Sequence, residues 1–239
     1  MVSLMHHLLR RGVRGHPDKE AVVQGNRRWT YARFDEASER LAGALVRAGL
    51  QPIDRVGIFL EKGIEEALSI FSVSKAGGVF VPINHLLFPE QVRHILSDCR
   101  PRALITTRDR LASLEHVLAV VPSVEIVVLV DGEGAVHGGY RVLEMRDILA
   151  TAPPGPVTDR CISKDLGAIL YTSGSTGRPK GVMFSQANLV AGSRIVSSYL
   201  EITESEPIGL LLEPPLHPGF VLAQVGDGRY DTGNDVGHL

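Results

Sequence analysis

Between Arg55 and Val130 short apolar runs and amphipathic stretches take turns, and this alternation limits the fold more than any other feature of the chain. Arg55-Val56-Gly57-Ile58-Phe59-Leu60 reads as a strand, Gly63 to Ala76 as a helix and Val79-Phe80-Val81-Pro82-Ile83 as a strand. Pro89 suits the first turn of a helix running to about Asp98. Ala103-Leu104-Ile105-Thr106 then reads as a strand, Arg108 to Val120 as a helix and Val124 to Val130 as a strand. Strands separated by helices require crossover connections, so the expected fold class is α/β, with mostly parallel sheets flanked by helices.

Ahead of this region, the first residues read as a short amphipathic helix with Leu4, Leu8 and Leu9 on one face. His6 and His7 are adjacent, and adjacent helical residues point apart, so they are expected as surface histidines rather than metal ligands. Ala21-Val22-Val23 and Arg28-Trp29-Thr30 flank Gln24-Gly25-Asn26 as a hairpin, and Thr30 caps a helix to Ala48 that Gly49 terminates. Thr151-Ala152-Pro153-Pro154-Gly155-Pro156 is the expected linker between sub-domains.

The densest chemistry lies in the ten residues from Thr172 to Gly181, which hold four hydroxyl side chains, three glycines and one lysine. Glycines allow a tight turn whose N–H groups converge on an anion, hydroxyls add donors, and lysine adds charge for phosphate oxygens. Leu166 to Tyr171 reads as a strand entering the loop and Val182-Met183-Phe184 as one leaving it, unlike a solvated Gly/Ser-rich turn. A P-loop fails on spacing: Lys180 follows Pro179 and precedes Gly181, where G-x-x-x-x-G-K-[ST] needs glycine and a hydroxyl. It fails on context too, because a strand rather than a helix follows, with the helix starting near Ser185.

Thr172 to Gly181 resembles the T-S-G-S-T-G-x-P-K-G signature of the AMP-forming adenylating enzymes, namely acyl-CoA synthetases, luciferases and peptide synthetase adenylation domains. Every defined position is present. The resemblance implies that Thr172, Ser173, Gly174, Ser175, Thr176, Gly177, Lys180 and Gly181 bind the β- and γ-phosphates of ATP while a carboxylate attacks the α-phosphorus. Lys180 and Thr176 would assist departure of pyrophosphate by stabilising charge where it develops. Mg2+ is the implied ion, its ligands unassigned, and CoA the implied co-substrate. Trp29-Thr30-Tyr31, Asp54-Arg55-Val56 and Lys75 to Asn84 also resemble the acyl-CoA synthetase N-terminal domain, carrying packing more than chemistry. Val81 to Gln91 and Asn188 to Gly192 are similar to ligases linked to exosortase systems.

The chain departs from that pattern in places. Gln186 stands where many members have histidine, and the resemblance fades after about Ser205. His217 sits among prolines, and Gly226 to Leu239 has almost no apolar pattern. No aromatic-Gly-x-Thr-Glu motif is present. The expected organisation is an α/β sub-domain over 1–150, the start of a second sub-domain carrying the phosphate loop over 151–206, and a divergent, poorly ordered tail over 207–239. A frameshift near 207 accounts for the change.

The expected function is that of an N-terminal fragment of an ATP-dependent acid–CoA ligase, inactive by itself, whose full-length form activates a carboxylic, fatty acid. A non-catalytic nucleotide-binding or interaction fragment, and an adenylating domain that loads a carrier protein, are the alternatives. A net charge of −2 gives no reason to expect nucleic acid, and no apolar run approaches a membrane span. Cys99 and Cys161 form no paired motif and read as free thiols, and with no secretory signal pattern at the start the expected location is the cytoplasm.

Overall fold

The computed structural model describes residues 2–131, 138–151, 155, 157–172, 179–199, 208–211 and 221–224. Helix α1 (Met5–Gly15) precedes an antiparallel hairpin, β1 (Glu20–Gln24) and β2 (Arg27–Thr30), which turns through Gly25 at φ 56°. A positive φ costs glycine nothing, which is why the hairpin turns there. Thr30 caps α2 (Tyr31–Arg47) as expected, its Oγ1 accepting the Arg33 N–H at 3.2 Å.

The expected alternation follows: β3 (Arg55–Phe59), α3 (Ile64–Lys75), β4 (Val79–Pro82), α4 (Pro89–Cys99) and β5 (Ala103–Thr106). The single helix expected over Arg108 to Val120 is two, α5 (Arg108–Ser113) and α6 (Glu115–Leu118), because Leu114 leaves helical geometry at φ −99°, ψ 5°. After β6 (Ile126–Leu129) come β7 (Arg141–Glu144) and α7 (Met145–Ala150), neither of which the sequence pattern predicts. The chain continues as β8 (Leu166–Thr172), β9 (Lys180–Ser185) and α8 (Gln186–Tyr199). Last, β10 (Ile208–Leu211) and β11 (Val221–Gln224) pair antiparallel. The rest of the expected tail, with His217 and Gly226 to Leu239, lies outside the described residues, as do 132–137 of the Gly-rich loop.

One seven-stranded sheet has the order β7-β6-β5-β3-β4-β8-β9. Every neighbouring pair is parallel except β8–β9. Two layers of core cover it, and period-two alternation sorts the side chains between them. Val56, Ile58, Phe80, Ile105 and Val128 face α1, α2, α3, α7 and α8. Phe59, Val81, Leu104, Val127 and Leu129 face α4, α5 and α6. Strands buried on both faces are the mark of parallel sheets covered by helices, and the central ones here are mostly apolar, with buried Thr106 donating to the Phe59 carbonyl. Among the described residues no helix is long and apolar enough to cross a membrane.

Candidate functional site

Strand β8 enters the sheet beside β4 through the Phe80–Ala168 pair and runs parallel to it. Its last residue, Thr172, therefore stands at the carboxyl end of the parallel strands, the end where open α/β sheets bind ligands. Strand β9 returns antiparallel, with Thr172 opposite Lys180, Tyr171 opposite Gly181 and Leu170 opposite Val182. Thr172 is half-buried and Lys180 exposed. The fold thus brings together Thr172, Lys180 and Gly181 of the expected phosphate-binding set. Ser173, Gly174, Ser175, Thr176 and Gly177 lie outside the described residues.

Helix α4 touches both stems of this hairpin. The Tyr171 hydroxyl donates to Asp98 Oδ2 at 2.5 Å, and His94 Nε2 lies 3.1 Å from the Pro179 carbonyl. A carbonyl only accepts, so the His94 proton sits on Nε2. Burial, and then the Asp98 carboxylate, push the Tyr171 phenol above its ordinary range, so it stays a donor. Burial also pushes the neighbouring Cys99 thiol up to about 12, as fits a free thiol packed in the core. Neither His94 nor Asp98 stands out in the sequence. The available signal is their spacing of four on one helix, which places them on one face.

At the far end of β9, Ser185 caps α8: its Oγ accepts the Asn188 N–H at 3.1 Å, while Asn188 Oδ1 accepts the Ser185 N–H at 3.2 Å. This is a reciprocal capping arrangement with asparagine in the usual Glu/Gln place. Gln186 is fully buried, and its Oε1 accepts the Met5 N–H at 3.0 Å. Its side chain ties the start of α1 to the start of α8.

His6 and His7 are not the surface pair the sequence suggests. His6 is fully buried, and both rings turn to one carboxylate, with His6 Nε2 2.9 Å from Asp159 Oδ1 and His7 Nε2 2.8 Å from Asp159 Oδ2. Both rings lie beside the segment that leads into β8, so neighbours on a helix converge on one acceptor with two oxygens. Burial lowers the His6 pKa to about 4. Burial works against ionisation of Asp159, but hydrogen bonds from His6 and His7 outweigh it and hold the carboxyl well below the usual range. The three side chains are spaced for a cation, yet Arg10 Nη1 donates to the same Asp159 Oδ1 at 2.8 Å, so a guanidinium already supplies the positive charge. Arg10 also reaches Glu39, which with Asp35 holds the buried Lys75 ammonium at 2.9 and 2.7 Å.

A cleft of about 590 Å³ opens where β3 and β5 part, lined among others by Leu60, Lys62, Gly63, Thr107, Arg110 and Asp131. It is separated from β8 by the whole of β4 in the strand order. Arg110 is already engaged by Glu61 at 3.2 Å and the His85 carbonyl at 2.7 Å.

The model of the AMP-binding enzyme family matches residues 9–218, most of the chain. The chain belongs to the AMP-binding enzyme family. Tyrocidine synthase 1 of Brevibacillus parabrevis is 31% identical over 206 residues, 86% of this chain and 17% of that protein. A medium/long-chain-fatty-acid–CoA/3-oxocholest-4-en-26-oate–CoA ligase of Mycobacterium tuberculosis (strain ATCC 25618 / H37Rv) is 30% identical over 175 residues, 72% of this chain and 32% of that one. Among solved structures, ATP-bound MatB from Rhodopseudomonas palustris matches with a TM-score of 0.69 at 27% identity, covering 85% of this chain and 39% of that one. The chain spans under half the length of each of these AMP-binding relatives. Its mostly parallel, helix-flanked sheet is the architecture these adenylate-forming neighbours share.

Proposed function

We propose that this chain is the phosphate-binding part of an acid–CoA ligase, one that activates a carboxylic acid as an acyl-adenylate and passes it to CoA. The observation that carries the reading is the Thr172–Lys180 pair, which sets a hydroxyl and an ammonium side by side where the signature loop leaves and rejoins the sheet. In this reading the carboxylate oxygen attacks the α-phosphorus of ATP, the bond to the β-phosphate oxygen breaks, and pyrophosphate leaves with its charge neutralised by Lys180. Ser173, Gly174, Ser175, Thr176 and Gly177 complete the cradle. Residues up to 150 serve as scaffold and 151–206 carry the loop. The described residues of the stems offer two donors for phosphate oxygens and no carboxylate cluster for Mg2+. Among the described residues the one cluster spaced for a cation is His6 and His7 of α1 with Asp159.

Adenylation needs groups placed around one α-phosphorus, and positioning supplies much of the rate. The 239 residues by themselves are accordingly expected to bind pyrophosphate without turnover. Calorimetry with inorganic pyrophosphate, beside ATP–pyrophosphate exchange with fatty and aromatic acids, tests this. Binding that is lost in Lys180→Ala supports the reading, and a folded wild-type chain that binds neither pyrophosphate nor ATP ends it. Acid-dependent exchange would show that these residues suffice for adenylation. Likeness to tyrocidine synthase 1 over most of the chain favours a second reading, an adenylating domain that loads a carrier protein. Offering the whole protein CoA and a thiol-bearing carrier in parallel separates the two.

A further inference from the structure

The bonds from α4 to the hairpin stems have a geometry that packing alone does not require. His94 and Asp98 are one helical turn apart on the same face, and each reaches a different stem. Asp98 takes the hydroxyl of Tyr171, the residue before Thr172, and His94 takes the carbonyl of Pro179, the residue before Lys180. Both are on the outer part of a helix whose inner face, Val92, Ile95, Leu96 and Cys99, already supplies its packing.

Gly181 shows that the arrangement depends on close approach. A Cβ there would stand 3.3 Å from the Tyr171 hydroxyl oxygen and 3.1 Å from Cζ, so a side chain at 181 would press on the ring that crosses toward α4. Among the described residues strand β9 is the edge of the sheet, with β8 as its strand partner. Thr172 and Lys180 lie at the end of this edge hairpin next to the signature loop, where no further strand holds β9 among the described residues. The two bonds from α4 act at that end.

We infer that His94 and Asp98 are positioning residues that clamp the two stems and thereby fix Lys180 beside Thr172 for phosphate. The inference rests on the phosphate-loop reading above. It makes α4, a helix with no residue in the signature, part of the binding apparatus.

Amide exchange of peptides from β8 and β9, with β3 as internal reference, tests the clamp without any ligand, and calorimetry with inorganic pyrophosphate tests its consequence. In His94→Leu and Asp98→Ala, stem exchange is expected to rise about five- to tenfold, the loss of one hydrogen bond, with β3 unchanged. Pyrophosphate affinity is expected to fall by a similar factor. His94→Gln keeps an N–H donor and Asp98→Asn keeps an acceptor, so both should restore most of the wild-type behaviour. Wild-type exchange in the stems of the His94→Leu/Asp98→Ala double variant overturns the clamp. Looser stems with unchanged pyrophosphate affinity overturn the positioning role. A wild-type chain that binds no pyrophosphate removes the phosphate reading and the positioning role together, while the exchange rates still report on the clamp.

Discussion

The ring of Tyr171 lies across Gly181, its register partner in the β8–β9 hairpin, so closely that a Cβ on residue 181 would meet Ile169 Cγ2 at 2.8 Å and Tyr171 Cζ at 3.1 Å. The last glycine of the signature thus has a reason in packing as well as any role toward phosphate. It clears the path by which Tyr171 reaches Asp98.

Gly181→Ala should therefore cost about 1–3 kcal/mol through overpacking, since both neighbours sit on a strand and have little room to withdraw. Urea denaturation measures the loss. Tyr171→Phe, which keeps the ring and drops the hydroxyl, should cost only about 1 kcal/mol. Equal stabilities for Gly181→Ala and the wild type would mean that the ring moves aside at no cost.

Lys75 opens the Lys75 to Asn84 stretch and is fully buried at the end of α3. Its ammonium lies 2.7 Å from Asp35 Oδ1 and 2.9 Å from Glu39 Oε1 on α2. Burial alone would raise the Glu39 pKa, but the Lys75 hydrogen bond and the other contacts bring it below the ordinary value. Lys75→Met removes the cation between two carboxylates and leaves Arg10 to Glu39 alone, so a loss of about 3–5 kcal/mol is expected. Thermal unfolding near neutral pH measures it, and a Tm within a degree or two of wild type would contradict the account.

These cases mark what the residues alone disclose. Strands β3 to β6 are legible because they are short apolar runs buried on both faces, and α2 because Thr30 and Gly49 bracket it. Strand β7 is not, since Arg141-Val142-Leu143-Glu144 lies at the sheet edge, only partly covered, and carries no apolar run. The signature loop is legible from composition, whereas its supports are not. His94 meets Pro179 across 85 residues and His6 meets Asp159 across 153. Local pattern holds no trace of such distant pairings. The reading of His6 and His7 as surface residues failed for the same reason: two neighbours on a helix share a partner that only the tertiary fold brings within reach.

His6 gives a pH dependence with a definite sign. Its pKa falls from 6.5 to about 4 on folding because burial disfavours the imidazolium. Between those values the unfolded chain binds more protons than the folded one. This contribution is therefore fully present above pH 6.5 and is lost as pH falls toward 4, at up to about 1.4 kcal/mol per pH unit. Asp159, whose carboxyl is also held low, adds a further loss in stronger acid, below its ordinary 3.8. His6→Gln should remove this rising contribution between pH 4 and 6.5, and urea unfolding of the variant beside the wild type at several pH values in that window will show the difference in slope. An unchanged slope would place the acid sensitivity elsewhere.

Glu66 works in the opposite direction over an overlapping range. It is 8% exposed on α3, and burial raises its pKa from 4.5 to about 7, with Lys62 offsetting only part of the effect. Between those values the folded chain holds the extra proton, so stability falls as pH rises from 4.5 to 7 and is level beyond. From 4.5 to 6.5 the His6 and Glu66 slopes nearly cancel, and the wild-type profile should be flat there despite two strongly perturbed groups. Single substitutions would uncover each slope. Glu66→Gln should match the wild type near pH 4 and exceed it by roughly 2–3 kcal/mol at pH 8, having no charge to desolvate. His6→Gln should leave the falling Glu66 slope exposed between 4.5 and 6.5. Urea denaturation of both variants at pH 4.5, 5.5, 6.5 and 8 decides the matter, because curves parallel to the wild type would mean that neither side chain changes its proton affinity on folding.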